Sequence, residues 1–159
     1  MAHHVLQMAD GTVAIMQTVA EPDGSEPGVE ECLAKWHPDE AAKVQSHAPV
    51  DPATLPTDRT FRNAWRHDGT AFAVDMDHAR AIHKDRMRGA RGPLLAALDV
   101  AWDKATEADD ADAKATVRTE KQALRDVTAD PGIAAATSPD ELKAAWPAVL
   151  GAAGPRRRP

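Results

Sequence analysis

Seven histidines, one cysteine and a surplus of carboxylates are the side chains of this 159-residue chain that could carry chemistry. Their spacing sets what each could do. A metal site needs three or four donors that converge. His3 and His4 are adjacent, so on a strand they point to opposite faces. His78 and His83 are five apart, off the three-or-four spacing that stacks ligands on one helix face. His37-Pro38-Asp39-Glu40 offers nitrogen and oxygen donors without a third fixed partner. The histidines read as ordinary surface or half-buried side chains, and no metal site is assigned. Cys32 lies beside Leu33 on the apolar side of a predicted helix and reads as a small buried hydrophobe. As a nucleophile it would need a base and an electropositive setting. A single cysteine also excludes an internal disulfide and a multi-cysteine zinc site. Ser25, Ser46 and Ser138 occupy turn or cap contexts, with no nucleophile-elbow pattern. Phosphate-loop and dinucleotide fingerprints are missing; Arg88-Gly-Ala-Arg-Gly92 follows a helix rather than a strand. No catalytic residue and no cofactor is assigned, and the chain reads as non-enzymatic.

Charge is less evenly spread than chemistry. Arg80, Lys84, Arg86, Arg88 and Arg91 cluster in one stretch, and Asp99, Asp103, Glu107, Asp109, Asp110 and Asp112 follow in the next. A solvated face with local ion pairs explains this, each exposed pair contributing under about 1 kcal/mol. The alternative is a basic band and an acidic tip that orient the molecule against copies or partners. On that reading Arg80, Arg86, Arg88, Arg91, Arg125 and Trp146 are the candidate partner-binding residues. The formal charge of -6 and pI near 5.6 oppose a general nucleic-acid binder, which needs a basic face to displace counterions from phosphate. The three C-terminal arginines read as a solubilising tail. With no apolar run near 18 residues and no basic-then-apolar leader, the chain is expected to be soluble, without membrane contact, and made in the cytoplasm.

The elements that must position these residues read as α+β. Val5–Met8 and Val13–Met16 flank Ala9-Asp-Gly-Thr12, a tight-turn signature that predicts an N-terminal β-hairpin. Val29, Cys32, Leu33 and Trp36 share one face of a short helix that His37-Pro38 stops. A short strand around Lys43–His47 is a weaker reading, followed by a proline-rich connector over 48–56. Thr57 or Asp58 is placed to cap one or two helical turns that bring Phe61 and Trp65 to one side. His67-Asp-Gly69 is a turn, and Thr70–Val74 alternates like a half-buried strand. From Asp75 or Asp77 a long helix follows, with Ala79, Ile82, Ala90, Leu94, Leu98, Ala101 and Trp102 on one face. Gly92-Pro93 predicts a kink or break in it. A second helix over 111–128 turns Ala113, Val117, Leu124 and Val127 inward, burying Leu124 and Val127 against Leu94, Leu95 and Leu98. Arg125 is placed to pair with Asp99 or a backbone carbonyl. Ser138-Pro-Asp-Glu141 opens a last short helix with a capping box, and Leu142 and Trp146 close it over the hairpin. The division is a small β-containing unit over 1–74, a helical hairpin over 75–150 and a flexible arginine-rich tail over 151–159. Aromatics are only 4%, so the core is thin and contact with copies or partners should add stability.

Gln122-Ala-Leu-Arg-Asp-Val-Thr128 followed by Trp146-Pro147 resembles the closing motif of the tailed-bacteriophage tail (or tail-fibre) assembly chaperone family. Arg86-Met-Arg-Gly-Ala-Arg-Gly-Pro-Leu-Leu-Ala-Ala-Leu-Asp99 is similar to that family's first helix, so the resemblance spans about 77–147. The front half is similar to phage and prophage proteins without an assigned role. This chain departs from the pattern by an insert, Ala129–Ala145, which weighs against a chaperone role in particular. The resemblance implies a tail- or fibre-associated protein of a tailed phage or phage-like particle. Its partners would be phage structural proteins and further copies of itself. It would sit in the virion, passing through the host cytoplasm during assembly. A structural component is favoured over a transient chaperone, because the front half adds a unit that a minimal chaperone does not need. The other readings are a capsid decoration or head protein, and a small host-directed regulatory or metal-binding protein.

Overall fold

The computed structural model describes residues 2–152; Arg156, Arg157 and Arg158 of the predicted tail lie outside them. The chain is α+β and divides into two compact units, Met1–Asp75 and Met76–Pro159.

The first unit is built on a three-stranded antiparallel sheet ordered β2-β1-β3, from β1 (His3–Met8), β2 (Val13–Gln17) and β3 (Val44–Pro49). The β1–β2 turn forms as its residues dictate. Gly11 takes φ +76, and the Asp10 carboxylate accepts from the Thr12 N–H at 2.9 Å and its hydroxyl at 2.5 Å. Val5 and Leu6, adjacent on β1, are both buried (2% and 0% exposed), so both faces of the central strand are covered. On one face Val5 and Val13 pack with Trp65, Phe72 and Val74 from the hairpin of β4 (Trp65–His67) and β5 (Phe72–Val74). On the other, Leu6 and Met16 pack with Val29, Cys32 and Leu33 of α1 (Val29–Ala34).

Three expectations change here. The weak strand near Lys43–His47 is a full partner of β1, running from Val44 to Pro49 with a register shift between Gln7 and Met8. The helical turns expected before Trp65 shrink to one 3₁₀ turn, Arg62–Ala64, and Trp65 instead opens β4. Tertiary pairing outweighs local spacing there. The Ala64 carbonyl accepts from the Asp75 N–H at 2.8 Å, and Trp65 registers against Val74. Phe61 and Trp65 are still both buried. Trp36, expected on the apolar face of α1, is exposed, because the helix ends at Ala34. His37-Pro38 stops α1 and also starts α2 (Pro38–Ala41), with His37 as its cap.

The second unit is a helical hairpin of α3 (Met76–Glu107) and α4 (Ala111–Asp126). The chain reverses at Asp109, in the left-handed region at φ 51, and the Asp110 carboxylate caps α4 by accepting from the Ala113 N–H at 2.9 Å. The expected break at Gly92-Pro93 does not occur, and α3 runs through it. Gly89, Gly92 and Pro93 lie on an exposed face with open space around both glycines. Water can therefore take the Gly89 carbonyl that Pro93 leaves without a donor. Met87 and Ala105, buried on either side, keep the helix anchored.

A 3₁₀ turn (Val127–Ala129), α5 (Pro131–Ala135) and α6 (Pro139–Ala144) follow. The insert is thus ordered, with Ile133, Ala136 and Leu142 buried, as are Val117, Leu124 and Val127. Ser138 caps α6 as expected, and Glu141, besides its bond to the Ser138 backbone, accepts from the Thr137 N–H (2.7 Å) and hydroxyl (2.9 Å). Leu94, expected in the seam, is exposed, while Leu95 and Leu98 are half-buried. No helix among the described residues is long and apolar enough to cross a membrane.

Candidate functional site

The arginines of α3 serve mostly inside the second unit. Arg80 pairs with Asp77 at 2.6 Å and donates to the Ala136 carbonyl at 2.8 Å, tying α3 to the segment after α5. Arg88 pairs with Asp85 one turn before it. Arg91 donates to the Arg125 carbonyl at 3.1 Å, locking α3 to the end of α4. Arg86 is half-buried near His83. An arginine that satisfies a helix-terminal carbonyl acts as a clamp rather than as a free charge. The basic band is therefore largely a set of internal ties.

Trp146 closes this unit. Its indole N–H donates to the Gly151 carbonyl at 2.9 Å, and its ring meets His83 edge-on with centroids 5.6 Å apart. His83 is 3% exposed and bonds to the Ala145 backbone. Burial, reinforced by the nearby Arg86 charge, pushes its pKa below the ordinary histidine value, so it is neutral near pH 7.

The surface left open lies elsewhere. A groove of about 540 Å³ on the hairpin is lined by Trp102 of α3 and by Arg118, Thr119, Lys121, Gln122 and Arg125 of α4. The α4 cations recur at spacings of three and four, which stacks them on one helix face. Trp102 lies beneath them, with the Arg118 guanidinium 5.2 Å and the Lys121 ammonium 5.6 Å from its ring centroid. Lys121 is held at 2.8 Å by Asp99 and is only 14% exposed, whereas Arg118 and Arg125 face solvent. Gln122 donates to both oxygens of Asp126, at 2.8 and 2.9 Å, drawing that carboxylate to the amide. The lining carries three cations and no carboxylate.

This arrangement can grip a carboxylate-bearing chain: guanidinium groups supply paired donors and the indole supplies a flat apolar floor. The Thr119 hydroxyl in the lining donates to the Ala115 carbonyl at 3.1 Å. Of the candidates read from the sequence, only Arg125 lines the groove. The expected Arg125–Asp99 pair is replaced by Lys121–Asp99, and the Arg125 backbone carbonyl takes Arg91 instead. Sequence reasoning missed Arg118 and Lys121, although the run Lys114, Arg118, Lys121, Arg125 shows their shared face. Trp102 was placed in the seam and is half-buried under the cations.

In the first unit, Cys32 is half-buried against Leu6 and Val29. His47 bonds to Glu30 at 2.8 Å and meets His4 edge-on at 6.2 Å. Among the described residues, no group of three or more His, Cys, Asp or Glu is placed to hold a metal ion. Comparison with protein-family models, curated proteins and solved structures finds no match for the chain.

Proposed function

We propose that this chain is a non-enzymatic structural or assembly protein of a tailed phage or phage-like particle. It would be tail- or fibre-associated and work through protein–protein contacts. The observation that carries the contact role is the groove beside Trp102, a solvent-facing site with cations, an aromatic floor and no bond-making group. Interfaces concentrate their binding free energy in such aromatic and arginine anchors. The phage assignment rests on the Gln122–Thr128 and Trp146-Pro147 resemblance. In this fold Leu124 of that block is buried, Arg125 lines the groove, and Trp146 seals the closing core.

A structural component fits better than a transient chaperone, because the first unit is a complete three-layer body with its own core. A head or capsid-decoration role is the second reading. It is favoured by β2 and β3, both edge strands with a free side on which a neighbour's strand could pair. Mass spectrometry of purified particles separates these roles. The structural reading expects the chain among tail proteins at stable copy number; absence from finished particles would leave only the assembly role.

A further inference from the structure

We infer that the groove beside Trp102 is the socket for the acidic end of the hairpin of a second copy of this chain. The inference rests on the reading of that groove as a docking surface and names its occupant. Both halves of the complementarity belong to the second unit. The socket presents Arg118 and Lys121 over an indole, with Arg125 in the same lining. The turn end of the same hairpin, which begins just past Trp102 where α3 passes into α4, presents Asp103, Glu107, Asp109, Asp110 and Asp112 against Lys104 and Lys114, all but Lys114 exposed. Asp109 meets Lys114 at 3.0 Å yet is 98% exposed, and Asp110 is spent on capping α4. Asp103 and Glu107, one turn apart on the last turns of α3, project their carboxylates into solvent. Ala108 and Ala111 lie among these acids, small enough to let a tip approach an indole face.

The molecule satisfies only part of this complementarity by itself, through the Asp99–Lys121 pair, and leaves Arg118 and Arg125 facing solvent. Arg118 to Arg125 follow Asp112 along the continuous helix α4, which at 1.5 Å per residue sets them about 9–20 Å from the tip. The hairpin holds the carboxylates of its own turn, Asp109 to Asp112, at that distance from these cations. A second copy meets no such constraint. The two patches are different surfaces, so the contact is heterologous: each copy offers one socket and one tip, and copies can add head to tail into a ring or an open row. The contact is largely ionic at its rim, so it weakens as salt rises.

Sedimentation velocity of the full chain over a range of protein and salt concentrations tests this. The wild-type chain should associate with increasing concentration, and less so at higher salt. Arg118→Glu with Arg125→Glu breaks the socket, and Asp103→Lys with Glu107→Lys breaks the tip. Each pair should weaken association about tenfold or more. All four positions are exposed, and circular dichroism checks that the helices remain. Mixing the two double variants pairs the intact socket of one with the intact tip of the other, and the reversed socket with the reversed tip, so the mixture should associate again where each variant alone does not. The chain with all four changes should assemble again with reversed charges. A wild-type chain that stays monomeric at every concentration and salt overturns the inference. So does association that survives both double variants, or a mixture that fails to associate. Any of these would remove the second copy as occupant; the docking reading itself is tested separately, by whether phage structural proteins are retained by the groove.

Discussion

Replacing Pro93 with alanine probes the point at which local sequence and three-dimensional structure disagree most. A proline inside a helix costs about 3 kcal/mol relative to alanine, because it removes one backbone hydrogen bond and crowds the preceding turn. In this fold α3 nevertheless continues from Met76 to Glu107 through Pro93. Pro93 sits on an exposed face, so alanine there removes no packing and restores a donor for the Gly89 carbonyl. The expected gain is about 2–3 kcal/mol. Gly92→Ala should add about 1 kcal/mol, since a Cβ at that position meets open space. For a unit of this size, each kcal/mol moves the thermal midpoint by about 4–8 °C. Thermal and urea unfolding followed by far-UV circular dichroism would measure both, with helix content unchanged or slightly raised. An unchanged or lower midpoint for Pro93→Ala would refute the continuous helix, because it would mean the chain uses the proline to turn.

Burial keeps His83 neutral in the folded chain, its pKa below the usual 6.5, while the unfolded chain protonates near that value. The unfolded state therefore binds more protons below about pH 6.5, and stability that is fully present above that pH is lost as pH falls. Urea titrations at several pH values should show this slope, at most about 1.4 kcal/mol per pH unit, and His83→Leu should flatten it. Leu6→Ala removes a fully buried side chain from the central strand of the first unit and should cost about 2–5 kcal/mol by denaturant unfolding. Arg80→Met keeps the aliphatic stem but leaves the Ala136 carbonyl without its donor. It should cost about 1–3 kcal/mol and raise amide exchange in the 131–144 segment while leaving α4 protected. Gly11→Ala forces a Cβ onto a residue at φ +76 and should cost about 1 kcal/mol.

What the sequence made legible was the local chemistry. Asp10-Gly11 closes the first hairpin and Ser138 caps α6, because each signal is a side chain acting on a backbone group two or three residues away. The features that escaped depend on distant partners. Strand β3 exists because β1 pairs with it, and Val44–Pro49 alone carries little strand pattern. Trp65 opens a strand rather than ending a helix because Val74 lies opposite. The arginines of α3 looked like a binding band because their acceptors, the Ala136 and Arg125 carbonyls, are 56 and 34 residues away. The groove escaped for a related reason: helical spacing placed Trp102 on the inner face, and only the approach of α4 sets Arg118 and Lys121 over its ring.

Under the proposed function, the groove beside Trp102 is where this protein would meet its partners in a phage particle. The most direct measurement is affinity capture from induced cells with two baits, the wild-type chain and the Arg118→Glu, Arg125→Glu variant, with retained proteins identified by mass spectrometry. The wild-type chain should retain an identified tail or capsid protein, and the variant, folded by circular dichroism, should lose it. Retention of the same phage structural proteins by both baits, or of none by the wild-type chain, would contradict the proposal.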